Sequence, residues 1–155
     1  MDVTSLYQQL HILGYVALAM LLGGVIGVER EIAHKPAGLR THMMVAGAAA
    51  LLVALAEIII RHFDVALAHA AIRPDPLRII GAVITGVSFL GAGTIIRHRS
   101  AEQVEGLTTA ASLLFVAGVG VTVALSQLVL AVGVTVLAWF TLRVFPSIMR
   151  WSGLS

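Results

Sequence analysis

The sequence predicts an all-α, polytopic membrane protein with five transmembrane helices, four of them forming a parallel repeat of two helical hairpins. Three observations predict it. The 155 residues are 59% hydrophobic and only 12% charged, where an ordinary soluble domain carries about 25% charged residues. The apolar residues gather into runs of the length that a bilayer demands, about 20 residues at 1.5 Å each for a hydrocarbon core of about 30 Å. The ten Lys and Arg residues fall between those runs or at their ends.

The runs lie at about 11–28, 42–60, 78–96, 107–125 and 128–145, in a single transmembrane domain covering 1–155. Hydrocarbon tails solvate Leu as well as another helix does, so spans associate where small residues let backbones approach. In the first span Ala19, Gly23 and Gly27 share one face, and 100° per residue puts Arg30 on the same stripe. Glu29 falls instead with Leu18, Leu22 and Val25 on the bulky face, so either the helix ends before it, or a fifth helix or a second subunit covers that face. The second span opens on "GLRT" and carries His42, Ala46, Ala50 and Glu57 on one face. An acid inside a span is a functional signal by default, but Glu57 stands four residues before Arg61, the favourable order for a local pair. Between Arg61 and Arg73 the pattern fits a short interfacial helix in which His62 and His69 are solvated.

The third span opens on "DPLR", where Asp75 suits the N-cap and Pro76 the first helical position. Its small residues Ala82, Gly86 and Gly93 form a second packing stripe, extended by Arg97, while Gly91 lies on the opposite side. The fourth span opens on "GLTT" and aligns Thr108, Ala111, Ser112 and Thr122. A tight turn at residues 125–127 separates it from the fifth, because one continuous helix there would far exceed the bilayer. Pro146 is expected to stop the fifth span, and Arg143, Arg150 and Trp151 to anchor it at the interface.

With the N-terminus outside, Arg30, Lys35, Arg40, Arg97, Arg99, Arg143 and Arg150 lie inside, and only Arg61, Arg73 and Arg78 lie outside. That bias obeys the positive-inside rule and puts the C-terminus in the cytoplasm. The start of the chain has no basic segment of the kind that precedes a cleaved signal. The absence of Cys excludes disulfides and thiolate chemistry. The basic balance reflects topology and attraction to the lipid bilayer, and no nucleic-acid partner is expected.

Two hairpins running in the same direction, each with a charged loop before "GLRT" or "GLTT", make a parallel repeat. The repeat brings Glu29, Arg30, Arg40, Thr41, Arg97, Thr108 and Thr109 to one cytoplasmic vestibule, with Gly23, Gly27, Gly86, Gly91 and Gly93 as helix-packing positions. Arginines beside helix N-termini favour an anion such as a phosphate or lipid head group. Glu29, Glu31, Glu102 and Glu105 in the same loops would suit a hard cation such as magnesium instead. Charge type alone leaves both open, and no metal ligand set is assigned.

At "GGVIGVEREIAHKPAGLRTHMMVAGAAAL" and "DPLRIIGAVITGVSFLGAGTIIRHRSAEQVEGLTTAASLLFVAGVGV" the chain resembles the MgtC/SapB family of bacterial inner-membrane proteins. The ordered set "GVER", "AGLRTH", "GVSFLGAG" and "GLTTAAS" carries the resemblance over about 18–121. Matching motif positions are Glu29, Arg30, Gly38, Leu39, Arg40, Thr41, Gly86, Phe89, Leu90, Gly91, Gly93, Gly106, Leu107 and Thr109. The resemblance implies five spans, an inner-membrane location, adaptation to low magnesium and, in pathogens, a part in virulence. It further implies regulation of other membrane machinery, with the F-type ATP synthase a proposed target, and no enzymatic activity. Ala82, Thr108 and Glu105 depart from residues frequent in the family, which weakens a polar path through the third span. The resemblance covers the transmembrane domain only, whereas members with the virulence role often continue into a soluble domain.

Three functions compete. A regulatory or adaptor protein fits the small-residue stripes; a cation transporter would show acids or broken helices near the midplane; an anion or head-group binding module would use the vestibule arginines. The regulator is the leading expectation, with a membrane-protein partner of the ATP synthase type and a homodimer as assemblies, and without cofactor. The glycine-rich "GAGTIIRHR" lies in a span and lacks the strand-to-helix setting of a phosphate loop. No Ser, His and acid constellation has a recognisable spacing, so the chain is not expected to be an enzyme.

Overall fold

A computed structural model describes residues 3–66, 75–97 and 104–151. Five helices account for nearly all of them: α1 (Val3–Ile32), α2 (Leu39–Ala66), α3 (Pro76–Gly93), α4 (Leu107–Ala124) and α5 (Leu128–Trp151). Four contain stretches long and apolar enough to cross a membrane, Ser5–Ile32, Leu39–Ile60, Leu107–Ala124 and Leu128–Phe145, and Leu77–Gly93 is a shorter apolar helix. The fold is therefore the expected all-α polytopic one.

Local chemistry places the turns. After α1, the Lys35 amide donates to the Arg30 carbonyl and the His34 amide to that of Glu31, with His34 at a φ of 54°. This is a Schellman motif, and Pro36 just beyond it prevents the helix from resuming. Ser126, at a φ of 59°, closes α4 in the same way, with Gln127 N–H on Thr122 O and Ser126 N–H on Val123 O. The chain then starts α5 at Leu128. Asp75 caps α3, its carboxylate accepting from the Leu77 amide at 2.9 Å, with Pro76 leading the helix.

α1 and α2 form a closely packed antiparallel hairpin, and α4 lies against both. A Cβ on Gly23 would meet the His42 carbonyl and Ala46, and one on Gly27 would meet Leu39 and His42. One on Gly120 would drive into the Ala46 carbonyl, so α4 also approaches α2 at backbone distance. The core between these three helices is apolar and largely small: Ala19, Ala46, Ala49, Ala50, Val116, Val119 and Val123. α5 packs on α1 and α4, and α3 on α4 and, less extensively, α2.

Several expectations need correction. α1 and α2 are longer than their apolar runs, and α2 continues to Ala66; residues 67–74, with His69, lie outside the described residues. α3 ends at Gly93 instead of running to 96, because the chain turns into a short antiparallel pair, β1 (Ile96–Arg97) and β2 (Val104–Glu105). Arg97 therefore sits in a strand and does not extend the α3 stripe. Gly86 and Gly93 are exposed, and a Cβ on either would meet nothing, so their stripe packs on no other helix of the chain. Gly91 is the buried position, against Ala110 of α4. Pro146 does not stop α5, which runs through it to Trp151; proline removes one helical donor and is tolerated in membrane helices where local adjustment satisfies the freed carbonyl.

Candidate functional site: a buried polar cluster

The first turns of α2 and α4 come together at one end of the bundle beside the last turn of α1, at what is called here the Glu29 end. Glu29 and Arg30 are both buried, 5% and 3% exposed. Arg30 Nε and Nη2 both reach Glu29 Oε2 at 2.5 Å, a charge pair between sequence neighbours. Removing charges from water is costly, and pairing inside the bundle is what makes their burial tolerable. The Glu29 carboxylate is thus satisfied inside the chain, although the wheel puts Glu29 with the bulky residues of α1 and not with its glycines.

His42, in the first turn of α2, is fully buried. Its Nδ1 lies 2.9 Å from the Gly38 carbonyl and its Nε2 3.0 Å from Ser112 Oγ of α4. Ser112 Oγ is also 2.8 Å from the Thr109 carbonyl, and Thr109 is itself buried. The hydrogens can be counted. A carbonyl only accepts, so Nδ1 carries a proton toward Gly38; a neutral imidazole then has a bare Nε2, which takes the single Ser112 proton. An imidazolium donates from both nitrogens and releases the Ser112 proton to the Thr109 carbonyl. Either way the α2–α4 contact is fully hydrogen-bonded, and among the described residues no buried side-chain polar atom lacks a partner. The Glu29–Arg30 pair lies near enough to act on the imidazole through space.

Glu31 completes this end. Its Oε2 accepts the Leu39 amide at 3.0 Å, so an acid from the last turn of α1 satisfies a free amide at the start of α2. A side chain at Gly38 would occupy the position of that carboxylate oxygen. Gly106 performs the matching service before α4: its φ of 91° and the Thr94 carbonyl against it leave no place for a Cβ.

Of the vestibule residues expected from sequence, Glu29, Arg30 and Thr109 are brought together in the buried cluster. Arg40, Thr41 and Thr108 are exposed, and the Arg97 side chain lies outside the described residues. His42 and Ser112 were visible as polar positions on helical faces, but their partnership across 70 residues was not. The one signal that could have found it is that a His and a Ser each open a strongly apolar helix at similar depth, where polar groups are expensive.

The opposite end, the Tyr15 end, has a separate polar pocket of about 350 Å³ lined by Gln8, His11, Tyr15, Glu57 and Ser126 among others. Tyr15 and Ser126 hydroxyls are 2.7 Å apart, tying α1 to the α4–α5 turn, and His11 meets the Tyr15 ring edge-on. Glu57 faces this pocket; the Arg61 side chain is outside the described residues. Among the described residues no group of three or more His, Asp or Glu is placed to hold a metal ion.

This arrangement of "GVER", "GLRT" and "GLTT" around one buried cluster coincides with a family match. The MgtC family model matches residues 16–151. The chain belongs to the MgtC family. Among curated relatives, it is 34% identical to Protein SapB of Bacillus subtilis over 150 residues, 92% of this chain and 63% of the relative. It is 39% identical to Protein MgtC of Salmonella typhimurium over 120 residues, 77% of this chain and 46% of the relative. It is 34% identical to the Escherichia coli protein named "Putative magnesium transporter YhiD" over 128 residues, 83% of this chain and 57% of the relative. This MgtC-family chain therefore spans about half to two-thirds of the length of these relatives. No solved structure matches it.

Proposed function

We propose that this membrane protein is a regulator of other membrane machinery, acting through its helix surfaces in the bacterial inner membrane during adaptation to low magnesium. The observation that carries the reading is the distribution of polar groups. The charged cluster at the Glu29 end and the polar pocket at the Tyr15 end are separated by a core of Ala and Val in which, among the described residues, no ionisable side chain is buried. Ion pathways place acids, broken helices or water-lined backbone near the midplane. At the Glu29 end Glu29 and Arg30 are instead paired with each other and Glu31 is spent on capping, which suits a structural seal. α3, with Phe89 and Gly93 exposed away from its groove against α2, offers the surface for a membrane-protein partner; an F-type ATP synthase and a second copy of the chain are the partners to try first. The N-terminus lies outside and the C-terminus in the cytoplasm on this reading, and the chain has no catalytic role.

A magnesium transporter is the competing reading, and the name of the Escherichia coli relative favours it. Flux into liposomes decides between them. Purified folded protein is expected to give no saturable magnesium uptake above empty liposomes, and ATP hydrolysis by inverted membrane vesicles is expected to change when the chain is supplied. Saturable uptake by the folded wild type above empty liposomes would overturn the regulator.

A further inference from the structure

The least explained feature of the bundle is the gap between α2 and α3. The two helices touch only sparingly, and between them runs a groove of about 970 Å³. Its walls are almost wholly apolar, with Ala48, Leu52 and Ala56 on one side and Ala82, Gly86 and Leu90 on the other. Gly86 meets nothing even if given a Cβ, so the groove is not closed by larger side chains of either helix. At the Tyr15 end the character changes abruptly: the mouth is lined by Asp75 and Arg78. The Asp75 carboxylate is engaged in capping α3, where the helix N-terminus offsets its charge. Arg78 is exposed one turn further on and, among the described residues lining the groove, is the remaining charge at the mouth.

We propose that this groove is a binding site for an anionic phospholipid, its acyl chain lying between α2 and α3 and its phosphate meeting Arg78. A hydrocarbon slot that opens on a guanidinium at the depth where a helix begins has the polarity profile of one lipid molecule. Its volume is within the range of about 300–1,000 Å³ usual for ligand sites. Guanidinium fits phosphate through two parallel N–H donors, which a zwitterionic head group shields with its own cation. A packed protein helix would use the apolar slot but would have no need of the cation at its mouth.

The test is native mass spectrometry of the purified chain in detergent, offered equal amounts of phosphatidylglycerol and phosphatidylcholine with identical oleoyl tails. The wild type is expected to retain one lipid and to prefer phosphatidylglycerol about five-fold, the value of one Arg at a membrane surface. Arg78→Gln should erase the preference while keeping the lipid, and Gly86→Leu, which fills the slot, should lower retention of both lipids. Phe89→Leu, on α3 but outside the groove, should leave retention and preference unchanged. Helical circular dichroism matched to wild type qualifies each variant. Equal retention of the two lipids by the wild type, or an undiminished preference in Arg78→Gln, overturns the proposal. Since the chain has no Cys, Ala82→Cys supplies a single thiol in the groove; disulfide dimers forming in liposomes would assign the slot to a second copy and also overturn it.

Discussion

The two helical hairpins share an opening signature and differ in everything that follows. Gly38 and Gly106 each precede Leu-x-Thr, and each sits where a Cβ would strike an oxygen. Yet α1 and α2 close on each other along their length through Gly23, Gly27 and Gly47, whereas α3 leaves Gly81, Gly86 and Gly93 against open space. Thr41 is exposed, while Thr109 in the matching position is buried. A glycine on a membrane helix therefore marks an opportunity for close approach, and whether it is used depends on a partner. The first hairpin found its partner within the chain and carries the buried charges; the second keeps its small-residue face for molecules outside it.

Substitutions can break that contrast at graded strength. Glu29→Gln should be the most damaging, because it strands the buried Arg30 charge; a loss of about 3–5 kcal/mol is expected, read as a collapse in the yield of folded protein and in its melting temperature. The double change Glu29→Gln with Arg30→Gln should recover part of that loss, and failure to recover any would mean that the pair is not the reason for the damage. Gly27→Leu and Gly120→Leu come next, at about 1–3 kcal/mol or more from overpacking, because the atoms against them include backbone that cannot swing away. His42→Leu should cost about 0.5–1.5 kcal/mol through loss of the His42–Ser112 bond between α2 and α4, since the Gly38 carbonyl keeps the His42 amide and the Ser112 hydroxyl keeps the Thr109 carbonyl; Ser112→Ala, which leaves the buried Nε2 unpaired, should cost at least as much in the same melting assay. At the bottom of the scale, Gly93→Leu and Arg40→Gln should stay within about 0.5 kcal/mol, as exposed positions do. A Gly93→Leu variant as unstable as Gly27→Leu would show that the two hairpins pack alike after all.

The contrast also separates what was legible in the sequence from what was not. Asp75 and Pro76 were read correctly because capping is settled within one turn, and the Ala19–Gly23–Gly27 face was legible because it is a property of one helix. The Gly86 and Gly93 stripe satisfied the same criterion and still faces away from the bundle, since periodicity reports a face and not its neighbour. What covers Glu29 stays open in the sequence for a related reason. A wheel places Cα atoms, but a long carboxylate can reach Arg30 beside it, and burial is decided by helices the wheel does not contain. The β1–β2 pair is two residues per strand, too short for alternation to register. The His42–Ser112 bond joins helices by their packing, which sequence spacing cannot express.

One feature bears on how the chain is made. At the Glu29 end every bond formed by Glu29, Arg30 and Glu31 is completed by residues no further along than Leu39. As the ribosome delivers the chain, the first hairpin can settle its acids and its exposed amide before the third helix exists. His42 waits for Ser112, 70 residues later. The insertion of α4 is thus the event that completes the cluster, and a nascent chain halted before it would hold a finished salt bridge beside an unfinished histidine.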